Sequence, residues 1–187
     1  DVAAVVDEAF ATGARGLKFQ CPVQRCAPDD PRLDPAFELA AEHDRPILFH
    51  AGTAPMFEDS RYVGVGRFES FLESYTAVRA ACAHMGTYEW EAFVDLVATY
   101  DNAYLDTSFA MSSAAAASMA FSPDEIPDRV LRAHSESIMY WSDFPNIPHE
   151  YRSEREHLLD RDLPPEVYDD LFRQTADRFL GGGDPER

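Results

Sequence analysis

Short apolar runs alternate along this chain with longer stretches of helical period, and no other feature narrows the fold as much. The runs 16–20 (GLKFQ), 46–50 (PILFH), 78–84 (VRAACAH), 103–108 (AYLDTS) and 137–143 (SIMYWSD) have the length of buried strands. Between them lie amphipathic segments: 35–43, with Phe37, Leu39 and Ala40 at helical spacing; 88–99, with Phe93, Leu96 and Val97; and 124–133. The segment 164–183 opens on Pro164 and Pro165, repeats Val167, Leu171 and Phe179 on a helical period, and stops at glycines, which predicts a final helix. Strands separated by helices feed a parallel sheet, so an α/β fold is expected rather than a β-sandwich.

At 187 residues the chain has the length of a single domain. A complete TIM-type (β/α)₈ barrel takes about 250 residues. Five strand–helix units therefore make an open sheet or part of such a barrel, and the arithmetic points to missing N-terminal units. The opening on Asp1, directly in a helix-like stretch, is read the same way, as the start of a fragment. Segments 51–67 and 109–123 are long for connections, and after strands of an α/β fold such loops belong to the active face. The piece AMSSAAAASMAF within the second also suits a short helix.

Charge limits the partners. Asp and Glu number 34 against 16 Lys and Arg, a net charge of −18, which weighs against nucleic acid and anionic membranes as partners. Lys18 is the sole lysine. A surface rich in carboxylates and poor in lysine suits concentrated salt, where repulsion is screened within a few ångströms, so a halophilic cytoplasm is the expectation. Cys21, Cys26 and Cys82 match neither a zinc knuckle nor a redox-motif spacing and read as buried or incidental thiols. No apolar run approaches the roughly 20 residues that span a bilayer. A small-molecule substrate, a soluble cytoplasmic location and, as one allowed state, a homo-oligomer follow as expectations.

The chemistry is expected where the strands end. PILFHAG, ACAHMG and YWSDFP carry hydrophobic runs into His50, His84 and Asp143, each followed closely by Gly or Pro. In a barrel the C-terminal ends of parallel strands converge on one face, so these side chains meet without a local motif. Two imidazoles and a carboxylate are a plausible set for a divalent transition metal, zinc first, which acidifies bound water toward a pKa of about 7. Each residue taken singly also has a plainer reading, a hydrogen-bonded histidine or a turn-forming aspartate; three in register favour the site. Arg25 and Arg61, in the loops of the same face, are candidates for clamping a substrate carboxylate. Asp106, in LDTS, is read as hydrogen-bond support at the rim, while His149 and His157 are expected to face solvent.

The order GLKF, PILFHAG, CAHMG, NAYLDTS, WSDFPNIP and QTADRFLG resembles the amidohydrolase-related group of the amidohydrolase superfamily, which also contains aminocarboxymuconate-semialdehyde decarboxylase. The resemblance runs from about Gly16 to Leu180. It implies the C-terminal portion of a TIM-type (β/α)₈ barrel, about strands 4–8 with the N-terminal strands missing from this chain. In it His50 is the metal ligand of the fifth strand, Asp143 the metal-binding and proton-handling aspartate of the eighth, and His84 the sixth-strand histidine that ligates metal or orients water or substrate. Lys18 falls on the fourth strand, where some members carry a carboxylated bridging lysine; packing at the rim or binding a substrate carboxylate is the alternative. Departures accompany the match: the His-x-His pair of the first strand is absent, Gln20 stands where the family often has histidine, and Trp141 replaces a usual glycine, either narrowing the pocket or packing in the core. Metal-dependent hydrolysis, with zinc, manganese or iron, is the function implied. Non-oxidative decarboxylation of an unsaturated or aromatic acid is the second reading. A third is a catalytically silent half-barrel whose unpaired edge strands need a partner.

Overall fold

The computed structural model describes residues 1–53, 60–119, 121–145 and 150–182. Five parallel strands, β1 (Leu17–Phe19), β2 (Ile47–Phe49), β3 (Ala80–Cys82), β4 (Ala103–Asp106) and β5 (Ile138–Met139), are hydrogen-bonded in their sequence order. The register sets Leu17 against Ile47, Ile47 against Ala80, Ala80 against Ala103 and Leu105 against Ile138. A doubly wound sheet reverses its strand order at a switch point; an unbroken order with crossovers is the winding of barrel folds.

The helices are α1 (Val2–Ala11), α2 (Cys21–Gln24), α3 (Asp34–Glu42), α4 (Val65–Ser74), α5 (Trp90–Thr99), α6 (Ser113–Met119), α7 (Asp128–Ala133), α8 (Tyr151–Leu159), α9 (Pro165–Asp169) and α10 (Thr175–Phe179). The last two join through a π-helical turn, Asp170–Gln174, and Gly181, at φ +83°, ends the run. Pro127 divides the expected 124–133 helix: its first half is a 3₁₀ turn, Pro123–Glu125, capped by Ser122, and only Asp128–Ala133 is α-helical. The expected helix in 110–121 exists as α6. Helices α4 and α8 were not anticipated; α8 (YRSEREHLL) has too few apolar residues to show a stripe.

Strand alternation divides the side chains between two faces. Ile47, Phe49, Ala80, Cys82, Ala103, Leu105 and Ile138 turn toward the helices, where Phe37, Phe68, Phe71 and Phe93 are buried with them. Phe37 meets Phe71 edge to face at 4.9 Å, and Phe71 meets Phe49 at 4.9 Å. Each such ring contributes about 1.5–3 kcal/mol by leaving water. Leu48, Ala81, Tyr104 and Met139 point the other way and are met by Phe179 of α10. Lys18, two residues from Gln20 on β1, shares this second face by parity. Among the described residues no helix is long and apolar enough to cross a membrane.

The strands are shorter than the apolar runs suggest. β5 stops at Met139 because the next N–H, that of Tyr140, donates to the Leu171 carbonyl at 2.6 Å rather than to a strand. Asp143 therefore lies in the connection beyond the strand, not at its end.

Candidate functional site

His50 follows β2 directly, its N–H donating to the Phe19 carbonyl at 2.9 Å. His84 follows the neighbouring strand β3, where the chain turns sharply through Ala83–Gly86, with His84 at φ +60° and Met85 at φ +55°. Non-glycine residues in that region are strained, and Thr87 and Phe109 beside them share it. The turn lets the imidazoles meet: their ring centroids are 5.0 Å apart at 70°, and both residues are buried. Gly52 and Gly86 allow the approach. A Cβ on Gly52 would stand 2.5 Å from the Gly86 carbonyl oxygen, while Gly86 itself sits at φ +76° against the Phe93 ring. Thr53 and Thr87 then form a parallel bridge, and Glu89 accepts the Thr53 N–H at 3.2 Å.

Hydrogen bonding fixes the tautomer of His84. Its Nδ1 lies 2.9 Å from the Ser108 carbonyl oxygen, which only accepts, so Nδ1 carries a proton and in the neutral ring Nε2 is the acceptor. Ser108 Oγ, 3.0 Å from the same nitrogen, donates in turn to Asp106. Asp106, 1% exposed, also accepts the backbone N–H groups of His84 at 3.0 Å and Ser108 at 2.9 Å. The hydrogen-bonding role expected of Asp106 is seen in these contacts, whereas the part of Ser108 was missed. Glu154 was missed as well: from α8 its buried carboxylate accepts the Phe109 N–H, and no local sequence pattern joins the two.

His50 is held neutral. Burial pushes its pKa down to about 3, helped by His84 and by the Lys18 charge, with the Asp143 carboxylate pulling the other way. The Gln20 amide meets its Nδ1 at 3.3 Å. Asp143 pairs with Lys18 at 3.4 Å, Lys18 being about half exposed. Lys18 and Trp141 line one cavity of about 260 Å³ together with Leu48 and Phe179. Trp141 is 36% exposed, so it borders that cavity rather than packing in the core. His50, His84, Lys18 and Asp143 are thus gathered in one region, and Trp141 is joined to it through the cavity it shares with Lys18, which is bordered by the strand starts at Gly16 and Pro46 rather than by the two histidines. Arg25 is apart from them, an exposed left-handed cap at the end of α2, and Arg61 lies over the Tyr62 ring in a second cavity with Asp29, Asp30 and Arg67. His157 does not simply face solvent: it is partly buried, with Nε2 3.3 Å from the Arg161 guanidinium. His149 lies outside the described residues.

Imidazoles and a carboxylate are donors that divalent transition metals accept. Among the described residues, however, no three His, Cys, Asp or Glu side chains stand close enough together to hold an ion. The residues fit a metal as part of a ligand set, with further donors still required.

A parallel α/β fold with two buried histidines just past adjacent strands defines a protein of the TIM-barrel class with a candidate metal site. The sequence profile of the amidohydrolase family matches residues 1–182, and the chain belongs to that family, whose members are typically metal-dependent. No curated protein matches it at a significant level. Among solved structures it is similar to an uncharacterised TIM-barrel protein from Bordetella bronchiseptica, at 16% identity and TM-score 0.78, covering 95% of this chain and 60% of that one. A 5-carboxyvanillate decarboxylase from Novosphingobium aromaticivorans, complexed with manganese and 4-hydroxy-3-methoxy-5-nitrobenzoic acid, is similar at 15% identity and TM-score 0.61, over 96% of this chain and 60% of its own. Dihydroorotase from Campylobacter jejuni is similar at 15% identity and TM-score 0.60, over 86% and 54%. The chain spans about three fifths of the length of the first of these structures.

Proposed function

We propose that this chain carries the larger part of the active site of a metal-dependent hydrolase acting on a small molecule, and that its strands correspond to about the fourth to eighth of a (β/α)₈ barrel. The observation that carries the reading is the buried His50–His84 pair, with Nε2 of His84 left as an acceptor and the Lys18–Asp143 ion pair beside it. His50 and Asp143 hold the metal, with zinc the first choice and manganese or iron the alternatives. The bound ion supplies Lewis acidity that brings the pKa of water toward about 7. Asp143 takes the proton of the attacking water and returns it to the leaving group. His84, in its Nδ1–H tautomer, accepts through Nε2 and so orients the water or adds to the ligand set; that tautomer argues against donation to an oxyanion. Lys18 draws an anionic substrate group to the rim, and Trp141 limits the width of the cavity. Arg25 and Arg61 are retained as carboxylate contacts only for a substrate reaching beyond this region.

Non-oxidative decarboxylation is the second reading, favoured by one feature: an ammonium and an indole lining a single cavity suit an aromatic carboxylate. Elemental analysis tests what the two readings share. Metal bound by the protein and lost in both His50→Ala and Asp143→Ala supports the centre, whereas undiminished metal in His50→Ala overturns it. Assays of hydrolysable amides, esters and lactones, beside aromatic acids followed for CO₂ release, then separate the two reactions.

A further inference from the structure

Helix α2 is short and ends in a way that brings two cysteines together. Arg25, at φ 54° and ψ 46°, is its left-handed cap, and the Cys26 N–H returns to the Cys21 carbonyl at 3.2 Å. That six-to-one bond after a left-handed residue is the Schellman arrangement, in which the side chains three residues before and two after the cap region meet each other. Here those two residues are Cys21 and Cys26, and the Cys21 thiol also donates to the Phe19 carbonyl at 4.0 Å. A disulfide needs Cα atoms roughly 4.4–6.8 Å apart, and the backbone bond at 3.2 Å holds Cys21 and Cys26 across a single closed turn.

The two thiols differ in access and in charge. Cys21 is fully enclosed, whereas Cys26 borders a cavity of about 330 Å³ lined also by Val2, Phe19, Gln24, Arg32 and Leu33. The neighbouring Cys21 thiol holds the Cys26 thiol below the usual range, against burial and Asp30 and with help from Arg32. Cys26, with burial, pushes Cys21 up. Cys82, within β3 and fully buried, is pushed up by burial and borders none of these groups' cavity.

We propose that Cys21 and Cys26 form an oxidisable dithiol, a modification site in which hydroperoxides attack at Cys26 and Cys21 resolves the product to an intramolecular disulfide. In the first step the Cys26 sulfur bonds to the terminal peroxide oxygen and the O–O bond breaks. The alcohol, or water from hydrogen peroxide, leaves with the Cys26 proton, and Cys26 becomes a sulfenic acid. In the second, the Cys21 sulfur attacks that sulfur, the S–O bond breaks, and water leaves with the Cys21 proton. The sulfurs together lose two electrons, which reduce one peroxide. Cys21 directly follows Gln20, whose amide meets His50, so the pair adjoins the chain segment that reaches the candidate centre.

Hydrogen peroxide added in slight excess to the reduced protein, followed by alkylation and tryptic digestion, tests this directly. Cleavage after Lys18, Arg25 and Arg32 places the two cysteines on separate fragments, 19–25 and 26–32. The expected result is these fragments joined, two hydrogens lighter than their sum, with Cys82 still alkylated as a thiol. Cys21→Ser is expected to stop at a Cys26 sulfenic acid captured by dimedone, and unfolding in urea to abolish the selectivity over Cys82. Wild-type fragments that remain separate, or Cys82 oxidised as fast as Cys26 in the native protein, would overturn the proposal without reference to any variant.

Discussion

Gly52 and Gly86 lie backbone against backbone, with the space for a Cβ on Gly52 already taken by the Gly86 carbonyl at 2.5 Å. This contact joins the turns that carry His50 and His84, so it is where steric change should pass to the imidazole pair. Gly52→Ala is expected to cost about 1–3 kcal/mol, as overpacking of a closed contact does. Gly86→Ala should cost more, because it adds a left-handed L-residue to a clash with the Phe93 ring. Urea denaturation gives both values, and metal uptake should fall in Gly52→Ala even where the fold survives. An unchanged denaturation midpoint for Gly52→Ala would contradict the contact.

Asp106 and Ser108 should contribute unequally to the same histidine. Ser108→Ala removes the Oγ link but leaves the carbonyl that holds Nδ1 of His84, so activity or metal affinity should fall less than about tenfold. Asp106→Ala removes the acceptor of three donors, including the His84 N–H that steadies a left-handed turn, and should cost about 10–100-fold. Equal effects of the two substitutions on metal affinity would mean that the chain to Asp106 does not position the ring.

Much of this was legible in the sequence because burial writes itself into composition. PILFH and AAC are apolar on both faces, which a strand covered on both sides requires, and the two histidines follow them at once. What stayed hidden depends on tertiary context. The end of β5 is set by Leu171, some thirty residues on, and the buried role of Glu154 by the loop after β4. The Cys21–Cys26 contact escaped notice because its spacing belongs to a helix-ending turn rather than to a redox motif, and the left-handed state of Arg25 has no signal in the residue itself. Helix α4 was lost among glycines, although Phe68, Phe71 and Leu72 are all buried.

His157 should make stability depend on pH. Burial, and then the Arg161 charge, lower its pKa, so the folded state disfavours the proton that the unfolded chain accepts near 6.5. The unfolded state thus binds more protons in this window. The contribution is complete above about pH 6.5 and is lost as pH falls through the depressed folded value. His157→Gln should flatten the slope of unfolding free energy between pH 7 and 5 by no more than about 1.4 kcal/mol per pH unit. Denaturant melts of both proteins in the presence of a chelator read this difference. A wild-type slope left unchanged by the substitution would remove His157 as its source.

The net charge of −18 leads to the last expectation. Several acidic side chains already have a local cation, as Asp29 has Arg67 and Asp44 has Arg79, but 34 carboxylates cannot all be matched by 16 basic residues. The excess repels itself in the folded state more than in the expanded chain, and the repulsion reaches about 10 Å at 0.1 M salt but only about 3 Å at 1 M. Raising KCl from 0.1 to 2 M should therefore stabilise the fold, and a gain of about 2 kcal/mol would raise Tm by roughly 4–8 °C at this chain length. The exposed pairs would weaken under the same screening, but each is worth at most about 1 kcal/mol, so net repulsion should prevail. Calorimetric scans across KCl concentration decide the matter: a Tm that stays level or falls toward molar salt would show that the acidic surface is no adaptation to brine.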